Sequence, residues 1–401
     1  MASRAIDNTT PPHILTLVIA AATAAVSMNV FLPVLPQMAA HFDADYAVVQ
    51  LTVSLYLGAT AILQLFIGPA SDRFGRRPVM LFCFSVFVVS TLAATLSPTV
   101  EILLLFRICQ AFSAAGMVLS RAIVRDTVEA NEAASRIGYI TMGMTAAPII
   151  GPLIGGILGE TYGWQAPFYL MLGFGLFAVI IVYLDLGETN RTQSSSLGGQ
   201  FRNYPKLLQS RRFWGYSLTA AFTSGAFFAF LGGGPFVATE LLGLTPSQYG
   251  MYFAVITLGY MLGNFLSGRY SARMGINKMM LAGNIAAFCG MIISLLLFAA
   301  GYMHALSLFG PSFLVGLGNG ITLPNANAGV VSVRPHLAGS ASGLGGALQI
   351  GGGAALSVIS GALLSVETGP FPLVLVMLAS AACGVIATLY VMHVARIAGD
   401  V

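Results

Sequence analysis

Apolar runs of roughly twenty residues alternate with short polar breaks along the whole chain. Twelve such runs lie near residues 14–38, 46–70, 78–99, 102–120, 137–159, 163–184, 213–237, 247–268, 279–301, 305–327, 338–363 and 370–392. A helix rising 1.5 Å per residue needs about 20 apolar residues to cross the hydrocarbon core of a bilayer, so each run predicts one membrane-spanning α-helix. The pattern therefore predicts an all-α integral membrane protein with twelve transmembrane helices and little chain left for a soluble domain. The first run is longer than the apolar core of a secretory leader and eleven spans follow it, so it is expected to remain as the first helix.

The breaks differ in charge. Seventeen of the eighteen Lys and Arg residues fall in alternate breaks: Arg4, Arg73 to Arg77, Arg121 to Arg136, Arg191 to Arg212, Arg269 to Lys278, Arg334 and Arg396. The breaks between them carry Asp43, Asp45, Glu101, Glu160, Glu240, His304 and Glu367, with no Lys or Arg. Basic residues collect in short cytoplasmic loops, which predicts both termini in the cytoplasm and the acidic breaks outside. Composition agrees: 8% of residues are charged, 57% are hydrophobic and the mean hydropathy is +0.84, far from the quarter charged residues of a soluble domain. The formal net charge of +4 reflects loop orientation and gives no reason to expect a nucleic-acid partner. Cys83, Cys109, Cys289 and Cys383 lie inside apolar runs without metal-site spacing and are expected as small core residues.

The one long polar stretch, Gly187 to Arg212, is rich in Ser, Gly, Gln and Arg and divides the spans six and six. It predicts an N-terminal bundle over 1–186, a cytoplasmic linker over 187–212 and a C-terminal bundle over 213–401. The two halves match at an offset of 200 residues. Gly68, Ser71, Arg73 and Gly75 return as Gly268, Ser271, Arg273 and Gly275, and Gly143, Ala147, Gly151 and Gly155 return as Gly343, Ala347, Gly351 and Ala355. Parallel six-helix repeats of this kind form a solute cavity between two bundles that rock against each other.

Four motifs carry candidate chemistry. The break after the second run reads GPASDRFGRRP, Gly68 to Pro78, and its second-half counterpart SGRYSARMGINK has Ala272 in place of the acid. Arg107 and Gln110, in RICQAFSAAG, share a polar stripe with Ala114, Met117 and Arg121. Arg107 is the one cation within an apolar run. An Arg at membrane depth costs about 2.5–3.5 kcal/mol on insertion scales and should face a partner or a cavity, or else snorkel to water from near the helix end. In GMTAAPIIGPLIGG, Gly143 to Gly156, small residues every fourth position allow close packing while Pro148 and Pro152 remove backbone donors. The first helix ends in SMNVFLPVLPQM, with Asn29, Pro33 and Pro36 on one face.

The GPASDRFGRRP loop resembles the signature loop of the major facilitator superfamily, and GMTAAPIIGPLIGG resembles that superfamily's antiporter motif. The LPVLP ending of the first helix, the string from Leu51 through Pro78 and the Trp164, Pro167, Phe168 cluster resemble the bicyclomycin and chloramphenicol resistance (Bcr/CflA) branch of its drug:proton antiporters. The resemblance implies two pseudo-symmetric six-helix bundles and a secondary transporter that exports a small, largely apolar compound from the cell by proton antiport, as a monomer in the bacterial inner membrane and without a cofactor. It also implies roles. Gly68, Asp72, Arg73, Gly75 and Arg76 would form a gating loop, and Pro148, Gly151, Pro152, Gly155 and Gly156 the antiporter motif. Asn29, Tyr56, Arg107, Gln110, Phe227, Phe230, Asn325 and Gln349 would contact the solute.

One departure matters. Many members of that group carry an acid in the first helix where this chain has Asn29, and no Asp or Glu lies in the middle of any run. A coupling carboxylate needs burial to bring its protonation near neutrality, which leaves Asp72, Glu101, Asp126 and Glu240 as candidates. The alternative is a facilitator or metabolite exporter without proton coupling. A membrane enzyme would need a nucleophile, base or metal cluster at depth, and none is visible; a sensor would need a soluble output domain. The strings GLGNG at Gly316 and GLGG at Gly343 lie within apolar runs with no preceding strand, which excludes a nucleotide-binding reading.

Overall fold

The computed structural model describes residues 11–128, 130–190, 204–334 and 337–397. Arg4, Arg191 and Arg202 lie outside them. The first span is built from α1 (Ile14–Asn29), a 3-10 turn (Leu32–Val34) and α2 (Leu35–Phe42). It is followed by α3 (Tyr46–Phe74), α4 (Arg76–Thr95), α5 (Val100–Gln110), a 3-10 turn (Ala111–Ser113), α6 (Ala114–Thr127), α7 (Ala130–Tyr162) and α8 (Ala166–Asp185). The short α9 (Tyr204–Leu208) precedes α10 (Arg211–Phe236), α11 (Pro246–Met274), α12 (Ile276–Ala299), α13 (Ala305–Ser332), α14 (Ala338–Leu363) and α15 (Phe371–Ile397). Among the described residues, eleven helical segments are long and apolar enough to cross a membrane. The remaining predicted span, 137–159, lies within the 33-residue α7.

The structure corrects the sequence reading in three places. The first span is interrupted: Pro33 lacks an N–H for the carbonyl of Asn29, so α1 stops there, while Pro36 sits harmlessly in the first turn of α2. Several helices overrun the apolar runs at their basic ends, as α3 does to Phe74, α6 to Thr127, α11 to Met274 and α15 to Ile397. Hydropathy marks where lipid ends, whereas a helix ends where its backbone is stopped. For α3 and α11 the stop is a glycine: Gly75 has φ 98° and Gly275 φ 81°, both with ψ 151°, a region essentially closed to side-chain-bearing residues. Of the cysteines only Cys83 is buried; Cys289 is exposed and Cys109 and Cys383 are intermediate.

The packing follows the repeat. In the first half α1 packs on α6, α7 and α8, and α4 packs on α5 and α8; in the second, α13 packs on α11 and α12, and α10 on α14 and α15. The halves meet along two antiparallel seams, α3 against α14 and α7 against α11. Large apolar side chains such as Ile62, Phe82, Val89, Phe177, Phe265 and Ile386 stand exposed on the outside, as a lipid-facing surface requires.

Candidate translocation pathway

The deepest polar cluster surrounds Arg107. Its side chain is 0% exposed. Nε donates to the Thr52 carbonyl at 3.0 Å, and Nη1 donates to the Ser27 carbonyl at 3.3 Å and to Gln110 Oε1. The guanidinium lies 4.2 Å from the Phe31 ring centroid and 4.7 Å from that of Tyr56. Gln110 passes the network on to Thr91 Oγ1 at 3.0 Å, and the Tyr56 hydroxyl meets the Ala24 carbonyl at 3.1 Å and Ser113 Oγ at 2.9 Å. Among the described residues, no carboxylate takes part. The charge is held by oriented carbonyl and amide dipoles and two aromatic faces, the latter worth about 0.5–2 kcal/mol each. Buried Nη2 of Arg107 and Oγ of Ser27 have no hydrogen-bond partner. Zero exposure also excludes snorkelling.

The seams between the halves close at the end that carries the acidic breaks. Gln50 Nε2 donates across to Ser357, to its hydroxyl at 2.7 Å and its carbonyl at 2.9 Å, and to Ser54 Oγ at 2.9 Å. Tyr46 donates to the Gly232 carbonyl at 2.6 Å, and the Ser247 amide donates to Glu160 at 3.3 Å. On the other seam, α7 is wedged between two partners. A Cβ at Gly155 would strike the Val30 carbonyl of the first span, and one at Gly151 would press on Val30 at 3.2 Å. One residue on, a Cβ at Gly156 would strike the Pro246 carbonyl, while Gly250 lies against the backbone of Pro152 and Leu153. The small residues of this motif thus permit backbone contact both within the first half and across to the second.

The glycine turn after α3 anchors an ion-pair cluster. Arg76, 8% exposed, pairs with Asp72 at 2.5 Å and, through Nε, with Asp126 at 2.8 Å, and donates to Ser71 Oγ. Glu188, beyond α8, accepts from the amides of Arg76 at 2.9 Å and Arg77 at 3.3 Å and so caps α4. Asn190 donates to the Asp72 carbonyl at 2.8 Å. Arg73 extends over the Phe74 ring, and Gly68 has open space around it. These partners belong to the first half or to the first residues of the chain that follows it. Asp185 closes the same side of the bundle by accepting from His13 N at 2.8 Å and from Thr16 Oγ1 at the start of α1.

The expected contact residues do not converge on one pocket. Asn29, Tyr56, Arg107 and Gln110 are buried inside the first half, where Asn29 donates to the Ala25 carbonyl and leaves Oδ1 unpartnered. Phe230 is fully buried in an aromatic cluster with Phe253 and Phe309. Asn325 ties α13 to α11 by donating to Ser267 Oγ at 2.9 Å. Phe227 and Gln349 are half-buried. At the basic end, Arg121, Arg125, Pro324 and Asn327 are exposed. Sequence reasoning passed over Gln50, Ser357, Asp185 and Glu188. Gln50 directly precedes the string from Leu51 to Pro78, but its partner is 307 positions away.

A family profile described as Major Facilitator Superfamily matches residues 17–357. An uncharacterized MFS-type transporter of Bacillus subtilis is 31% identical over 90% of this chain and 90% of its own. The bicyclomycin resistance protein homolog of Haemophilus influenzae is 30% identical over 84% of this chain and 85% of its own. The chloramphenicol resistance protein of Pseudomonas aeruginosa is 28% identical, covering 81% and 78%. A solved structure, a bacterial homolog of the human lysosomal transporter Spinster in an inward-facing, unoccupied conformation, superposes with a TM-score of 0.71 over 96% of each chain at 18% identity.

Proposed function

The chain belongs to the Major Facilitator Superfamily, and from that premise we propose that it exports small, largely apolar compounds across the bacterial inner membrane by alternating access coupled to proton entry. It is a transporter and not an enzyme. The resistance proteins among its relatives support a drug-like or metabolite solute. In this reading residues 1–186 and 213–401 are the two rocking bundles, 187–212 is the cytoplasmic linker, both termini are cytoplasmic and the protein works as a monomer.

The observation that carries the reading is the one-ended closure. Gln50 with Ser357, Tyr46 with Gly232 and the backbone contacts of Gly156 and Gly250 seal the acidic end, while exposed Arg121 and Asn327 mark the basic end. With the basic end in the cytoplasm, this is an inward-facing state. The loop of Gly68, Asp72, Arg73, Gly75 and Arg76 then engages Asp126 of its own half and Glu188 and Asn190 at the start of the linker; docking onto the second half belongs to the opposite state. Pro148, Gly151, Pro152, Gly155 and Gly156 serve as the hinge and seal of the outer gate. Asn29, Tyr56, Arg107, Gln110, Phe227, Phe230, Asn325 and Gln349 become solute contacts when the bundles separate and repack, with Arg107 supplying the buried charge. Of the candidate carboxylates, Asp72 and Asp126 share Arg76, and proton exchange is assigned to this pair.

Asn29 favours a second reading, a facilitator without proton coupling, because the first span offers an amide in place of a carboxylate. Proteoliposomes discriminate the two. Coupled export stops when the pH gradient is collapsed, whereas export against a concentration gradient that continues unchanged removes the antiport reading. Topology has its own check. A label-accessible site at Glu160 in intact cells and a protected one in the linker are expected, and the reverse pattern inverts the scheme.

A further inference from the structure

Resting on the export reading, we propose that the solute is a small lipophilic organic anion and that Arg121 is the side chain that receives its acidic group. Arg121 stands six residues before the end of α6 at Thr127, about 9 Å inside the helix end at 1.5 Å per residue. The other faces of α6 are occupied. Gly116 lies against the Ala20 carbonyl, Ser120 donates to the Leu17 carbonyl at 3.0 Å, and Leu119, Ile123 and Val124 are buried in the first-half core. Arg121 projects from the remaining face, between half-buried Met117 and exposed Arg125, and is itself exposed. Protein crowds around the guanidinium although it is open to solvent, and Tyr260 of α11, in the second half, is among its electrostatic neighbours; a side chain at once exposed and surrounded stands in the cleft between the halves.

Every described carboxylate at this end is already committed. Asp72 and Asp126 hold Arg76, Glu132 holds Arg136 at 2.7 Å, Asp185 binds the start of α1 and Glu188 caps α4. The other described acids, Asp43, Asp45, Glu101, Glu160, Glu240 and Glu367, belong to the opposite end. The second half contributes no described acid here, only Lys206, Arg211, Arg212, Arg269, Arg273, Lys278, Arg334 and Arg396. Orientation in the membrane explains the cations on the rim. It does not explain a cation two turns deeper, exposed and with no acid among the described residues to neutralise it. A cleft with low-dielectric walls and one sign of charge focuses its field and concentrates counter-charged solutes while repelling like-charged ones. The planar guanidinium suits a carboxylate or similar oxyanion, and half-buried Met117, one turn away on the same face, offers apolar surface. Arg107 cannot make the first contact because it is sealed in.

The test uses the full chain in nanodiscs and three compounds on one aryl-alkyl scaffold, ending in a carboxylate, a methyl ester or a trimethylammonium. Displacement of the radiolabelled carboxylate should rank the carboxylate at least about tenfold tighter than the ammonium. Arg121→Gln should weaken the carboxylate about tenfold and the ester less than about twofold, and Arg121→Lys should recover part of the loss. A monodisperse size-exclusion profile of each variant separates misfolding from lost recognition. Equal or tighter binding of the ammonium, absence of carboxylate binding, or a uniform loss for all three compounds in Arg121→Gln overturns the assignment. Transport into inverted vesicles is scored separately. Carboxylate-selective binding with no transport removes the export reading and leaves the anion assignment standing; transport of all three without preference does the opposite.

Discussion

The turns after α3 and α11 share a backbone, a serine and an arginine, but among the described residues only the first carries an ion-pair cluster. Gly75 and Gly275 adopt nearly the same unusual φ and ψ, and each ends a 29-residue helix. Around Gly75, Asp72, Arg76, Asp126 and Glu188 form a charged cluster, and a Cβ there would collide with the Glu188 carboxylate. Around Gly275 there is open space, with Ala272 and Ile276 in the positions of the acid and the arginine. The interiors diverge in the same way. Ser307 occupies the place of Arg107, and the second half fills its core with Phe230, Tyr249, Phe253 and Phe309. Geometry that both bundles need for folding has been kept in both. Charge sits in one.

The largest effect should come from the buried charge. Arg107→Ala leaves Gln110 Oε1 and two carbonyls without their donor, each costing about 1–3 kcal/mol, and export should fall at least tenfold at equal membrane levels, while Ser307→Ala changes it little. Efflux of a fluorescent substrate from whole cells, normalised to surface protein, measures both; unaltered efflux in Arg107→Ala takes that residue out of the mechanism. Next come the turn glycines. Alanine at either forces a conformation costing about 1–3 kcal/mol, but Gly75→Ala also displaces the Glu188 cap, so its thermal unfolding midpoint in detergent should fall further than that of Gly275→Ala. Equal falls would mean that the cap contributes nothing.

A smaller effect is expected where the halves touch. Gln50→Ala removes donors to Ser54 and Ser357 at about 0.5–1.5 kcal/mol each, tilting the equilibrium toward opening of the acidic end. An impermeant maleimide should then label a cysteine at Val366 no faster, since Val366 is already exposed, but one at Ser54 several-fold faster. Unchanged labelling at Ser54 would show that this seam is held by packing alone. Smallest of all, Ala272→Asp with Ile276→Arg should install an i,i+4 pair in the bare turn and raise stability by about 0.3–0.5 kcal/mol, readable as a slight increase in the unfolding midpoint.

The same contrast explains what the sequence made legible. Span positions, the glycine turns and the small-residue ridges of α7 and α14 follow from local rules of length, backbone freedom and packing, and they could be read one segment at a time. The partners of Asp185 and Glu188 could not, because His13 and Arg76 lie 172 and 112 positions away and meet them only when the first bundle closes. The direction of Arg107 was equally hidden. A cation at membrane depth announces a need for partners, yet the carbonyls of Ser27 and Thr52 that meet it leave no trace in residue type. Helical spacing put Arg107 and Arg121 on one stripe, and the 3-10 turn at Ala111–Ser113 between them separates a sealed arginine from an exposed one.

Alternation about the two seams is tested most directly by paired distance measurements on a cysteine-free background, with spin labels at Asp45 and Glu367 across the acidic end and at Arg73 and Arg273 across the basic end. Shifting from the unliganded protein to a transporting condition should lengthen the first distance while shortening the second in the same population. Two distances that stay fixed, or that grow and shrink together, would contradict a pathway opened by rocking bundles.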